Sequence, residues 1–196
     1  MGGIKMTKVT IFGKGNMGKA IGQNFVDARN EVNYIGSDDT VKNIGEIVIL
    51  AVPYPAALKI AEKNSEKLEN KIVVDITNPL NFETWNELVV PANSSAAAEL
   101  ASKLPNSKVV KAFNTTFAAT LVSKQVGDKQ QTTVMMASDD ETAKKLLADS
   151  LKESGLAVVD AGALKRAREL EAFGFLQMTL AAKEKISWNG GFGIIK

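Results

Sequence analysis

The chain has 196 residues, 45% of them hydrophobic, enough for one sizeable core with a small appended lobe. Lys and Arg number 24 against 22 Asp and Glu, a formal charge of +2, and this weak balance argues against a nucleic-acid partner. The chain has no cysteine and no histidine, which excludes disulfides and thiolate catalysis and removes both the commonest metal ligand and the usual general base near neutral pH. No stretch reads as a signal peptide or membrane span, since the apolar runs are strand-sized, so a cytoplasmic protein is expected. Met1 to Lys5 precede a second methionine, Met6, and read as an extension or a ragged start.

The first strand is expected over Lys8 to Phe12, and Gly13, Gly15 and Gly18 follow at once as Gly13-Lys14-Gly15-Asn16-Met17-Gly18. Ala20, Ile21, Phe25 and Val26 then recur at helical spacing, giving a helix from about Asn16 to Ala28. Strand, glycine-rich turn and helix in this order form a dinucleotide fingerprint. In it Gly13 permits the turn, Gly15 leaves room for a pyrophosphate, and Gly18 lets the helix sit close on the strand. The unpaired N–H groups of the first helical turn would face the phosphates.

A second strand is read at Glu31 to Gly36. Only a short turn or helical fragment fits between Asp38 and Gly45, so the crossover is trimmed and the adenine side of a bound dinucleotide should be open. Ile47 to Val52 is an unbroken apolar run, expected to be a strand buried on both faces and ended by Pro53-Tyr54-Pro55. A helix over Ala56 to Leu68 and a strand over Lys71 to Ile76 follow. Pro79 closes that strand because it has no ladder N–H to give. Asn81 to Ala92 reads as a loop, Ala96 to Leu104 as a helix and Lys108 to Phe113 as a strand closed by Asn114-Thr115-Thr116. After a mixed stretch from Phe117 to Gln131, a strand is expected at Thr132 to Ala137, then a helix opened by Asp139, Asp140 and Glu141. A short strand at Ala157 to Val159 should end at Asp160-Ala161-Gly162. The longest helical pattern runs from Leu164 to about Lys185, and the apolar tail beyond it should cover the core or a neighbouring subunit.

Alternating strands and helices give an α/β protein: a Rossmann-like, mostly parallel sheet with helices on both faces and a small C-terminal α/β lobe. The expected division is a dinucleotide-binding domain over 6–125 and a lobe over 126–196 packed on it.

Ligands in such folds bind at the carboxyl ends of the strands. The residues there are Gly13 to Gly18, Ser37-Asp38, Val52-Pro53-Tyr54, Asn78-Pro79 and Asn114-Thr115. At the ribose position Asp38 favours a free 2′-hydroxyl, whereas Ser37, Lys14 and Lys42 favour a 2′-phosphate. Tyr54, Asn78 and Asn114 would line the nicotinamide or substrate pocket. Asp75 and Asp160 are read as structural groups at strand ends, and Arg166, Arg168, Glu169 and Glu171 as a solvated helix face. Reduction of a carbonyl or imine needs a proton donor as well as a hydride. Hydride exchange with a flavin-like ring leaves the hard chemistry on the cofactors, which suits a site poor in acid–base groups.

Several segments together resemble one known family. They are Thr10-Ile11-Phe12-Gly13-Lys14-Gly15-Asn16-Met17-Gly18, Ala51-Val52-Pro53-Tyr54, Val74-Asp75-Ile76-Thr77-Asn78-Pro79 and Val110-Lys111-Ala112-Phe113-Asn114-Thr115, followed by Asp160-Ala161-Gly162 and Ala167-Arg168-Glu169-Leu170-Glu171. In this order they resemble the deazaflavin-dependent NADP reductases of the coenzyme F-420 type. The resemblance implies an NADP(H)-binding Rossmann domain, a small C-terminal lobe, a homodimer, and hydride transfer between NADP(H) and a flavin or deazaflavin as second substrate. It also implies that Ser37 contacts the 2′-phosphate and that Lys42 matches a further basic residue, while Asp38 stands where the family typically has arginine. The expected function is therefore an NADP(H)-binding oxidoreductase with a small redox acceptor. A reductase of a small imine or carbonyl, or a non-catalytic dinucleotide-binding regulator, are the alternatives.

Overall fold

The computed structural model describes residues 6–195, and the start read for Met1 to Lys5 lies outside them. In chain order the elements are β1 (Lys8–Phe12), α1 (Asn16–Asp27), β2 (Glu31–Ile35), β3 (Ile47–Leu50), α2 (Tyr54–Lys63), α3 (Ser65–Leu68), β4 (Ile72–Asp75), α4 (Ala96–Lys103), β5 (Lys108–Ala112), α5 (Ala118–Ser123), β6 (Gln125–Val126), β7 (Gln130–Gln131), β8 (Thr133–Ala137), α6 (Glu141–Leu151), β9 (Ala157–Gly162) and α7 (Ala167–Ala182), the last entered through a 3-10 turn at Leu164–Arg166.

One seven-stranded sheet carries the fold in the order β2-β1-β3-β4-β5-β8-β9, and β6 and β7 form a separate hairpin. Pairing is parallel except between β5 and β8. The expected mixed α/β sheet is thus present, and residues beyond 126 extend it through β8 and β9 instead of forming a sheet of their own. Every residue of β3 and β4 is buried, as an unbroken apolar strand inside a parallel sheet must be. One face packs Ile47, Ile49, Val74 and Val110 with Ile21 and Phe25 of α1, Leu121 of α5 and Leu147 of α6. The other packs Val48, Leu50 and Val73 with Ala57 and Ala61 of α2, Leu68 of α3 and Leu100 of α4.

Several local expectations need correction. α2 begins at Tyr54, not Ala56, because Pro53 serves as its N-cap and Pro55 fits in the first turn, where a proline N–H would be unpaired anyway. The helix breaks at Asn64, whose side chain donates back to the Ile60 carbonyl, so residues 65–68 form a separate turn. Asp160 to Gly162 do not end β9 but belong to it. The mixed stretch 117–131 resolves into α5 and the β6–β7 hairpin. No helix follows β2, and Val41 and Ile44 of that short connection pack against the second core.

Glu171 is not on a solvated face. It is fully buried, as are Lys111 and Asp75. Lys111 Nζ lies 2.7 Å from Asp75 Oδ2 and 2.8 Å from Glu171 Oε1, and it also donates to the Thr77 carbonyl. Glu171 accepts in addition from the backbone N–H groups of Ala96 and Ala97, at 2.8 and 3.3 Å. It thereby occupies the positive end of α4. The network ties β4, β5, α4 and α7 together directly beneath the strand ends. Burial raises the Glu171 carboxyl above its ordinary range against the pull of Lys111.

Removing Lys111 would strand two buried carboxylates. Lys111→Met should therefore lower the unfolding free energy by about 3–5 kcal/mol, read from urea denaturation. The sign of the pH effect at Glu171 follows from its raised pKa. Its contribution favours folding below the unfolded value of 4.5 and is lost as the pH rises through the raised folded value. The stability of the native chain relative to Glu171→Gln should therefore decline as the pH is raised from 4.5 toward neutrality, followed by urea midpoints at each pH.

Candidate functional site

Strand order reverses between β1 and β3, so the loops after these strands part and leave a crevice at their carboxyl ends. The glycine turn fills its base. Gly13 has φ +111°, and a Cβ there would stand 2.2 Å from the Ala51 carbonyl oxygen, so only glycine fits. Its N–H donates to the Ile35 carbonyl at 2.9 Å, tying the turn to β2. A Cβ on Gly18 would stand 2.4 Å from the Gly13 carbonyl oxygen, which is how α1 comes to lie against the turn. At Gly15 a Cβ would meet nothing within 4 Å, so the space above it is open. α1 starts there with no side-chain cap and no acidic residue in its first turn. An uncapped helix start facing open space is a seat for an anion.

Two clefts flank this turn, and Val52 lines both. The first, of 580 Å³, brings together Asn16, Met17, Val52, Pro53, Tyr54, Asn78 and Asn114 with Phe82, Phe117, Met178 and Trp188. Its walls are mostly apolar with a few convergent polar groups, the usual make-up of a small-molecule site. The second, of 590 Å³, brings together Gly13, Lys14, Gly15 and Ser37 with Asp39, Lys59 and Lys63. Five anticipated residues, Gly18, Asp38, Lys42, Pro79 and Thr115, line neither cleft. Lys42 lines an adjoining shallow crevice with Asn33 and Thr40, which shares Ile35 and Asp39 with the second cleft, because residues 39–43 run along the outer edge of β2. Pro79 is buried behind the first cleft, where its carbonyl accepts from Val89 and anchors the 81–92 loop.

The floor of the first cleft is a pair of asparagines. Phe113, at φ +64°, turns the chain sharply out of β5 and presents Asn114. Asn114 Nδ2 donates to Asn78 Oδ1 at 2.9 Å and to the Leu170 carbonyl at 2.8 Å, and Asn78 Nδ2 donates to the Asn114 carbonyl at 2.9 Å. α7 passes so close that a Cβ on Gly174 would stand 2.4 Å from Asn78 Oδ1. Asn114 Oδ1 and Thr77 Oγ1, both on residues lining the cleft, are buried and have no partner among the described residues. Tyr54 stands on the opposite wall. Burial, and then the charges of Glu99, Glu171 and Asp75, push its phenol pKa up, so it keeps its proton. The tail closes one side: Trp188 packs edge-on against Phe117 at 4.9 Å, and Phe192 against Phe173 at 4.9 Å. Asp75 and Asp160 are engaged in ion pairs with Lys111 and with Lys144.

No protein-family model matches the chain. Over 166 residues it is 31% identical to the F420-dependent NADP reductase of Methanocaldococcus jannaschii, an alignment spanning 82% of this chain and 73% of that one. The chain belongs to the F420-dependent NADP reductase family. The F420-dependent NADP reductase of Methanothermobacter marburgensis is 27% identical over 155 residues, covering 76% of this chain and 68% of its own. A crystal structure of a candidate F420-dependent NADP reductase from Arthrobacter sp. FB24 superposes with a TM-score of 0.83 over 97% of this chain and 100% of that one, at 23% identity, and shares the fold. The fold and relatives are those of dinucleotide-binding oxidoreductases.

Sequence reasoning missed Asp39, Lys59, Lys63, Phe82 and Met178 in this family member. For the two lysines a signal existed: they stand four apart in a helical segment and so share one face. The glycines give a paired prediction. Gly18→Ala forces the helix off the turn and should cost about 1–3 kcal/mol. Gly15→Ala, in open space and extended backbone, should stay within about 0.5 kcal/mol of the native chain. Thermal or urea unfolding of the two variants side by side checks this.

Proposed function

We propose that the protein is an NADP(H)-binding oxidoreductase that passes hydride between the nicotinamide and a flavin-like ring, a deazaflavin foremost. One observation supports this more than any other: the anion seat at the start of α1 lies between an adenosine-sized crevice and an apolar cleft, joined through Val52. The open space over Gly15 suits a pyrophosphate, and Lys14, Lys59 and Lys63 supply positive charge around the crevice. The Asn78–Asn114 pair gives the cleft polar amide groups suited to a carboxamide. The bound nicotinamide would supply the hydride. The protein's part is to hold two flat rings together and keep water away, for which Met17, Met178, Phe82 and Trp188 provide an apolar enclosure. The family's known members act on F420 by name, which favours a deazaflavin over other rings. A homodimer is proposed on the family resemblance, with the exposed Leu176 and Phe192 beside the tail as the apolar surface it would cover. A second reading, reduction of a small imine or carbonyl, draws on the protonated Tyr54 phenol in the same cleft.

Calorimetric titration should show binding of both NADPH and NADH, NADPH the tighter, and Gly15→Ala should weaken both by about tenfold or more through crowding at the pyrophosphate. A panel of deazaflavin, riboflavin, a quinone and a cyclic imine, followed by loss of nicotinamide absorbance, should give fastest turnover with the deazaflavin. No binding of either nucleotide at millimolar concentration overturns the reading. Tight binding without turnover of any acceptor points to a regulator, and turnover of the imine alone, abolished in Tyr54→Phe, points to the second reading.

A further inference from the structure

The adenosine crevice contains a feature that a simple phosphate site would not have. At the end of β2 the Gly36 N–H and the Lys14 ammonium converge, as they would on an anion. The anion already there belongs to the chain: Asp39 Oδ2 accepts from Gly36 N at 2.7 Å and from Lys14 Nζ at 2.7 Å. The fit is close, since a Cβ on Gly36 would stand 3.3 Å from that oxygen and 3.3 Å from Lys14 Cε. The Lys14 hydrogen bond, with that of Gly36, holds the Asp39 carboxyl below the usual carboxylate range, so it is ionised at neutral pH. Asp38, the acid that the sequence points to, is exposed and does not line the crevice. Asp39 and Ser37 do.

Resting on the dinucleotide reading above, we propose that Asp39 sets cofactor discrimination by occupying the 2′-phosphate seat itself. An incoming phosphate carries about two negative charges and cannot share Lys14 with a carboxylate at short range without strong repulsion. It enters only when Asp39 swings out. A free 2′-hydroxyl is a donor, and the carboxylate accepts from it in place. NADPH binding therefore carries the cost of breaking the Asp39–Lys14 and Asp39–Gly36 contacts, while NADH binding does not. Lys59 and Lys63 make no ion pair among the described residues and stand in the same crevice, ready to attract the phosphate once the seat is open. The chain thus retains a basic crevice whose selectivity for the phosphorylated cofactor is held down by one aspartate.

The test uses Asp39→Ala, Asp39→Asn, Lys14→Ala and the double variant Asp39→Ala/Lys14→Ala. Dissociation constants are measured for NADPH and NADH, and for adenosine 2′,5′-bisphosphate and adenosine 5′-phosphate, at one ionic strength. Asp39 is exposed, so each single variant should fold as the native chain does. Both Asp39 variants should tighten NADPH and the bisphosphate by about tenfold or more, with NADH and the monophosphate unchanged or weaker. In the Lys14→Ala background the gain from Asp39→Ala should shrink below about threefold, because no lysine is left to release. Equal shifts for phosphorylated and unphosphorylated ligands, no tightening of NADPH, or an undiminished gain without Lys14 would each overturn the proposal. The adenosine probes separate it from the catalytic reading. If they respond as expected while no acceptor turns over, the discrimination stands and the oxidoreductase reading falls. If acceptors turn over and discrimination is unmoved, this inference alone falls.

Discussion

The site depends on a buried ammonium. Lys111 lies near the carboxyl end of β5 with no solvent exposure, and its charge is balanced because Asp75 on β4 and Glu171 on α7 converge on it. Burying an amine and two carboxyl groups together is costly, and each is tolerable only while the others stay in place. α7 must therefore pass the strand ends at the height where Glu171 also reaches the start of α4. That placement brings Gly174 onto Asn78 and the Leu170 carbonyl onto Asn114, building the cleft floor. The polar floor of an otherwise apolar cleft is thus set by an ion network one layer below it.

The second constraint is steric. The turn after β1 is pressed between the Ala51 carbonyl and the first turn of α1, with glycine at both contacts. Compression here is what leaves backbone N–H groups, instead of side chains, facing the open space at Gly15. The same turn is joined to β2 through the Gly13 N–H and the Ile35 carbonyl, so the anion seat and the Asp39 cradle share one rigid piece of backbone.

Periodicity and punctuation made the sheet legible. The unbroken run Ile47 to Val52 read as a strand covered on both faces, of which Ile47–Leu50 forms β3, and the glycine spacing marked the turn where the clefts open. Less legible was whatever depended on contacts distant in sequence. Glu171 sits in a charged run and looks solvated until Lys111, sixty residues earlier, is seen beneath it. Lys111 itself, a charge in an apolar strand, was the available sign. At the ribose position the sequence offers two adjacent acids, and only the turn geometry after Gly36 decides that Asp39 points inward. Lys42 shows the converse, a basic residue carried to the outer edge by a connection too short to form a helix. The walls contributed by Phe82 and Trp188 come from irregular segments, which periodicity does not describe.

Among the described residues, Val52 is the one side chain common to both clefts. Lys14 of the glycine turn, Ser37 and Asp39 after β2, and Lys59 and Lys63 of α2 would choose between phosphorylated and plain nucleotides, and a different set of side chains, Met17, Phe82, Met178 and Trp188, would grip a second ring. Evolution can therefore alter either preference by substitutions that never touch the other, and a lineage can change its acceptor while keeping its cofactor, or the reverse. Val52 is exempt from that freedom. Enlarging it narrows both compartments together, so this position should drift more slowly than the residues around it, although it makes no polar contact of its own.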